Sequence, residues 1–155
     1  MIRILISLLV LVLSSSVMSD DNNLLAPCPN SPNCVSSLSG SKDHWVAPLK
    51  VSDNRDTSLQ RLQTLLDAEP RVEYDVVGQS RIQARFKSLV LRFTDDVTFY
   101  VRDNGVGEVR SASRVGYWDL GANRRRVESL RSKLAELKSD DTTAQHSSQN
   151  AHPLG

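Results

Sequence analysis

Residues 72–115 carry apolar and polar side chains in alternation, in separate short runs. A two-residue period fits strands that bury one face and little else. Val72, Tyr74 and Val76 alternate with Arg71, Glu73 and Asp75, and Ile82, Ala84 and Phe86 alternate with Arg81, Gln83 and Arg85. Residues 93–102 and 108–115 supply a third and a fourth strand. Gly78-Gln79-Ser80 reads as a turn, and Asn104-Gly105 is a hairpin signal. Residues 87–92 are ambiguous, with Leu89-Val90-Leu91 apolar throughout.

Helical stripes flank these strands. Thr57 to Gln60 resembles a capping box, Leu59, Leu62, Leu65 and Leu66 share one helical face, and Pro70 ends the helix. Val127, Leu130, Leu134 and Leu137 mark a last helix, for which Asn123 is a suitable N-cap. A striped helix and a half-apolar sheet must each bury a face. The expected fold is therefore α+β, a two-layer sandwich of about four antiparallel strands with two helices packed on one face. The opposite sheet face is left open or covered by the cysteine segment. Residues 44–51, broken by Pro48, make at most an edge strand, and 36–43 is a Ser/Gly-rich loop.

The ends of the chain read differently. Arg3 precedes an apolar run at 4–13 interrupted only by Ser7, and small residues follow to Ser19. That order is a secretory leader, with Val17 and Ser19 placing the cut after residue 19. A retained anchor is the alternative, but this ten-residue run spans roughly 15 Å as a helix, about half a bilayer core. The expected organisation is a leader at 1–19, a linker at 20–26, one domain at 27–138 and a disordered tail at 139–155. The protein is then exported, periplasmic or secreted, with no stable membrane span once the leader is gone. With 19 Lys+Arg against 18 Asp+Glu, no whole-chain electrostatic grip on nucleic acid is available.

Cys28 and Cys34 bracket Pro-Asn-Ser-Pro-Asn. Outside the cytosol such a pair should oxidise, and the short loop it closes contributes about 2–3 kcal/mol. A thioredoxin-like redox site would have two intervening residues rather than five. A zinc site would need further ligands, and His44 is the only histidine nearby. No Gly-rich phosphate loop occurs, so no cofactor and no metal are expected.

The last hairpin decides which polar groups meet. A two-residue loop at Asn104-Gly105 would set Val101 opposite Glu108. A three-residue loop at 104–106 sets Val101 opposite Val109, Phe99 opposite Ser111 and Val97 opposite Ser113, which suits the apolar pattern. Arg102 then meets Glu108, Tyr100 meets Arg110 and Asp96 meets Arg114, while Asp95 points to the other face.

Beyond this hairpin lie Arg124, Arg125 and Arg126, in the first turn of the last helix, where cations oppose the helix dipole by roughly 0.3–1 kcal/mol each. Something must offset them. The sequence leads to an expected convergence of Arg110, Arg114, Arg124 and Arg126 on Asp96 and Asp119, beside Asn123. Such a set is either an ion-pair network or a site for a small anion. Catalytic readings are thinner. His44 with an Asp or Ser would make a hydrolase, but Ser111 and Ser113 lie in a strand rather than a nucleophile elbow.

Four stretches together resemble one family: CPNSPNCVSS at 28–37, His44 with Pro48-Leu49, FTDD at 93–96 and RSASRVGYWDLGANRRR at 110–126. They are similar to the domain-of-unknown-function 1499 family over about residues 27–137. The resemblance implies a small exported or membrane-attached protein and no assigned reaction. Trp118 stands where the family pattern has a small polar residue. Three functions stay open: a non-catalytic exported domain that binds a small anion, an envelope-derived ligand or a partner; a hydrolase using His44; and a purely structural envelope component.

Overall fold

The computed structural model describes residues 24–89 and 92–149, the last with side chains to 140. The leader expected at 1–19 lies outside these residues. The chain is α+β. Its elements are β1 (Cys34–Ser36), β2 (Leu49–Lys50), α1 (Arg55–Asp67), β3 (Val72–Val77), β4 (Arg81–Lys87), β5 (Thr94–Val101), β6 (Val106–Ser113) and α2 (Ala122–Gln149). They form one antiparallel sheet in the order β1-β6-β5-β4-β3, with β2 also pairing β6. The strand count is six, not about four. The two extra strands are short pieces along the free edge of β6, in segments too brief and too rich in Ser and Pro to show a period.

A single hydrophobic cluster joins the sheet and the helices. Ile82, Ala84, Phe86, Val97, Phe99, Val101 and Val109 come from one sheet face. Leu59, Leu62, Leu65 and Leu66 of α1, and Val127, Leu130 and Leu134 of α2, pack with them. These are the stripes that the heptad-like spacing marks. The other sheet face is partly covered by residues 24–30. Leu25 is buried there, and Arg81 Nη2 donates to the Leu24 carbonyl at 3.0 Å. Chain expected as linker is therefore packed from Leu24 onward.

Helix boundaries also move. Asn54 caps α1, its side chain accepting from the Thr57 amide at 2.9 Å. Asparagine is among the strongest caps, so the helix starts ahead of the Thr57 box. α2 runs to Gln149 rather than giving way to irregular chain after residue 138. An apolar period reports burial, not helicity, and a helix already nucleated propagates without a buried stripe.

The β5–β6 register differs from expectation by two residues. The loop has three residues, but they are 103–105: the Arg102 amide donates to the Val106 carbonyl at 2.9 Å, and Gly105 N to the Arg102 carbonyl at 3.0 Å. Val101 thus faces Gly107, Phe99 faces Val109 and Val97 faces Ser111. The cause is backbone conformation. Gly105 has φ +76°, and a three-residue hairpin places its left-handed residue last. A slip of two keeps every side chain on its expected face. Arg102 still reaches Glu108, Nε to Oε1 2.7 Å, and Arg114 still reaches Asp96, both as diagonal neighbours.

Gly105 is doubly constrained. A Cβ there would lie 2.2 Å from the Ser52 carbonyl oxygen and 2.8 Å from the Asn54 amide nitrogen, both backbone atoms beside the α1 cap. Gly105→Ala should destabilise the domain by about 2–4 kcal/mol in chemical denaturation. A loss below half of that would show that the hairpin does not lock the start of α1.

Candidate functional site

Asn123 is the buried centre of the site. It is fully inaccessible and sits in the first turn of α2, inside the helix rather than at its cap. Its Nδ2 donates to the Asn33 carbonyl at 2.9 Å, Ser113 Oγ at 2.9 Å and Asp119 Oδ2 at 2.8 Å. Its Oδ1 accepts from Ser111 Oγ at 2.6 Å and Arg126 Nη1 at 2.7 Å. One amide thereby ties together the cysteine segment, β6, α2 and the turn between the last two.

Asp119 does the capping expected of Asn123. Its carboxylate accepts from the amides of Gly121 and Asn123, both at 2.8 Å. A negative charge three residues ahead of the first helical residue also suits the dipole. Arg126 is held by Asp95, on the core face of β5, and its guanidinium lies 5.1 Å from the centre of the Phe86 ring. This buried pair is partly solvated by Ser111 Oγ, 3.0 Å from Arg126 Nη1.

The expected four-arginine convergence does not form. Arg126, Asn123 and Asp119 come together, but with Asp95, Ser111, Ser113 and Asn33 instead of Asp96. Arg114 and Asp96 make a two-pronged pair at 2.9 and 2.8 Å on the opposite sheet face. Arg110 lies on that face too, with Nη2 3.5 Å from the Pro27 carbonyl and a buried Nε that has no hydrogen-bond partner. Burial pushes the Arg110 guanidinium down, and Asp96 only partly opposes this. Arg124 clamps the irregular chain at 43–45, donating to the carbonyls of Trp45 at 2.8 Å and Asp43 at 2.9 Å. The reason is the two-residue period: Asp95 and Asp96 take opposite faces, so arginines seeking both must separate.

Cys28 and Cys34 form a disulfide. His44 is anchored to it, Nδ1 lying 2.9 Å from the Cys34 carbonyl oxygen. Among the described residues no serine hydroxyl or carboxylate is hydrogen-bonded to His44. The nearby hydroxyls are turned to backbone, Ser36 Oγ accepting from Leu38 N and Ser39 Oγ donating to the Ser41 carbonyl. Nor do three His, Cys, Asp or Glu side chains cluster anywhere among the described residues.

What the network supports is the turn through Gly116 to Gly121, whose apolar side chains the sequence reading gave no role. Between Ser113 and Ala122 the chain exposes Val115 (52%), Tyr117 (61%), Trp118 (70%) and Leu120 (83%). The tip is nevertheless fixed. Asn33 Nδ2 donates to the Gly116 carbonyl, Asp119 holds the exit, and Arg125 Nη1 donates to the Leu120 carbonyl at 2.7 Å. Tyr117 and Trp118 pack edge to face with ring centres 5.7 Å apart. Leu120 sits at φ +53°, a conformation costing a leucine about 1–2 kcal/mol. Large apolar residues between two glycines, with no period, were the available signal.

Asp119 gives the turn a pH dependence. Burial alone would push its carboxyl up. The amides of Asn123 and Gly121 and the Asn123 side chain outweigh that and hold it below the ordinary 3.8. A carboxyl lowered on folding stabilises the fold above its unfolded value and loses that contribution as pH falls through the lowered one. Melting temperature should therefore be level above about pH 5 and fall below it, and Asp119→Asn should fall less over the same range. Parallel acid profiles for the two proteins would show that this cap carries no linkage.

A comparison with curated proteins returns no match. A family model described as a protein of unknown function, DUF1499, covers residues 24–134, which include the disulfide, the amide network and the exposed turn. The chain belongs to this DUF1499 family.

Proposed function

We propose that the protein is a non-catalytic binding module of an exported protein, and that the turn at 115–120 is its contact surface. The observation that carries this reading is the combination at the turn: four large apolar side chains exposed within six residues, on a backbone held by buried polar groups. Contiguous exposed apolar surface is disfavoured on a soluble domain unless something covers it. A strained leucine at the tip is retained only where the surroundings over-determine it. The leader pattern and the disulfide support the exported setting.

Tyr117→Ser, Trp118→Ser and Leu120→Ser together remove the surface without touching the network. The triple variant should melt within a few degrees of wild type and lose its association with the envelope fraction of the cells that make it. Equal fractionation of the two proteins would end this reading.

A second reading survives at Arg110, because its buried Nε lacks a partner and Arg114 stands on the same face. There a small anion would be gripped by Arg110 and Arg114, with Arg124, Arg126, Asp119 and Asn123 of the expected cluster serving the fold instead. Sulfate or phosphate at fixed ionic strength should then raise the melting temperature of wild type by mass action and not that of Arg110→Ala. Equal shifts in both would remove the anion site.

A further inference from the structure

The exposed turn is not alone at its end of the sheet. Asp95 pairs with Ser113, and the Arg114 amide donates to the Thr94 carbonyl at 3.2 Å. The chain entering β5 and the chain leaving β6 therefore emerge side by side. The β4–β5 connection contributes exposed Leu89 and Phe93 to this end, and the β6–α2 connection contributes Val115, Tyr117, Trp118 and Leu120. The first connection is basic: residues 87–93 contain Arg92, Lys87 (paired with Glu73) and no acid. Residues 114–121 carry no net charge, Arg114 being paired with Asp96 and Asp119 turned inward to cap α2. Arg125 stands exposed at the foot of the turn.

Resting on the contact-surface reading above, we propose that this end of the domain docks on a membrane surface that displays anionic phospholipid headgroups. The geometry fits a bilayer better than a protein groove. The apolar groups stand on separate adjacent tips; Leu89 lines a hollow with Arg92, but Tyr117, Trp118 and Leu120 are more than half exposed and protrude. Tyrosine and tryptophan favour the boundary between headgroups and acyl chains, where an apolar ring and a polar edge are both satisfied. Arginines around inserted apolar tips meet lipid phosphates at the depth the tips define. Among the described residues no helix is long and apolar enough to cross a membrane.

The test follows Trp118 itself, which separates docking of the turn from anything the N-terminal segment does. The chain has two tryptophans, so full-length Trp45→Phe leaves Trp118 as the sole reporter. Its emission should shift to shorter wavelength with vesicles of phosphatidylcholine and phosphatidylglycerol, and be quenched when the acyl chains are brominated. Phosphatidylcholine alone should do much less. In the same background, Leu120→Ser should weaken partitioning about tenfold. Arg92→Gln and Arg125→Gln should weaken it about fivefold each. Unchanged Trp118 emission with every vesicle overturns the membrane assignment, as does quenching that Leu120→Ser leaves untouched. Equal quenching with and without phosphatidylglycerol overturns its anionic component. If vesicles fail while the serine variant still leaves the envelope fraction, the contact surface stands and its occupant is a protein.

Discussion

A single side-chain amide holds the molecule's parts in one arrangement. Asn123 has two donors and one acceptor oxygen, and the cysteine segment, β6, Asp119 and Arg126 all depend on them. An amide is suited to this because it gives and receives at the same buried point. Buried polar groups of this kind are costly when half satisfied, so each partner constrains the others. The turn at 115–120 inherits its rigidity from that closure.

Arginine chemistry explains how a basic helix start is tolerated. Three consecutive guanidinium groups at the positive end of α2 are unfavourable by themselves. Each is drawn away from the helix axis: Arg124 to the carbonyls of Asp43 and Trp45, Arg125 to that of Leu120, Arg126 to Asp95. Further along, Arg131 repeats the device, donating to the carbonyls of Ala47 and Pro48 at 2.7 and 2.8 Å. In the proline-broken chain at 43–48 only the His44 carbonyl finds a strand partner among the described residues, the Ser36 amide, and the multi-pronged guanidinium groups supply donors to the carbonyls of Asp43, Trp45, Ala47 and Pro48. These arginines organise irregular backbone first, which is why their clustering in sequence did not translate into a cluster in space.

The same division assigns the two sheet faces. Asp95 turns inward, where Arg126 neutralises it beside Phe86, while Asp96 turns outward to Arg114. A buried pair of this type contributes little net stability over an apolar pair but fixes geometry, since either partner alone would be an uncompensated charge. The apolar side chains that such a framework leaves in solvent at one end of the sheet are then a surface with a defined shape, not a frayed loop.

Alternation and helical spacing in the chain itself determined the α+β class, the core faces of β4 to β6 and the stripes of both helices; on β3 only Val72 and Tyr74 reach the core, and Val76 is exposed. These depend on periods of two and 3.6 residues, which are local. The cysteine pairing was legible too, since Cys28 and Cys34 are close in sequence. Tertiary structure decided the rest. The pieces Cys34–Ser36 and Leu49–Lys50 are strands only because β6 offers a free edge. The hairpin register followed from where Gly105 could take a positive φ against Ser52. Asn33, Ser111 and Asn123 are ninety positions apart at the extreme, and no period relates residues that meet through folding. A hydrogen-bond network is a property of converging directions in space, and a linear pattern records only which side each residue faces.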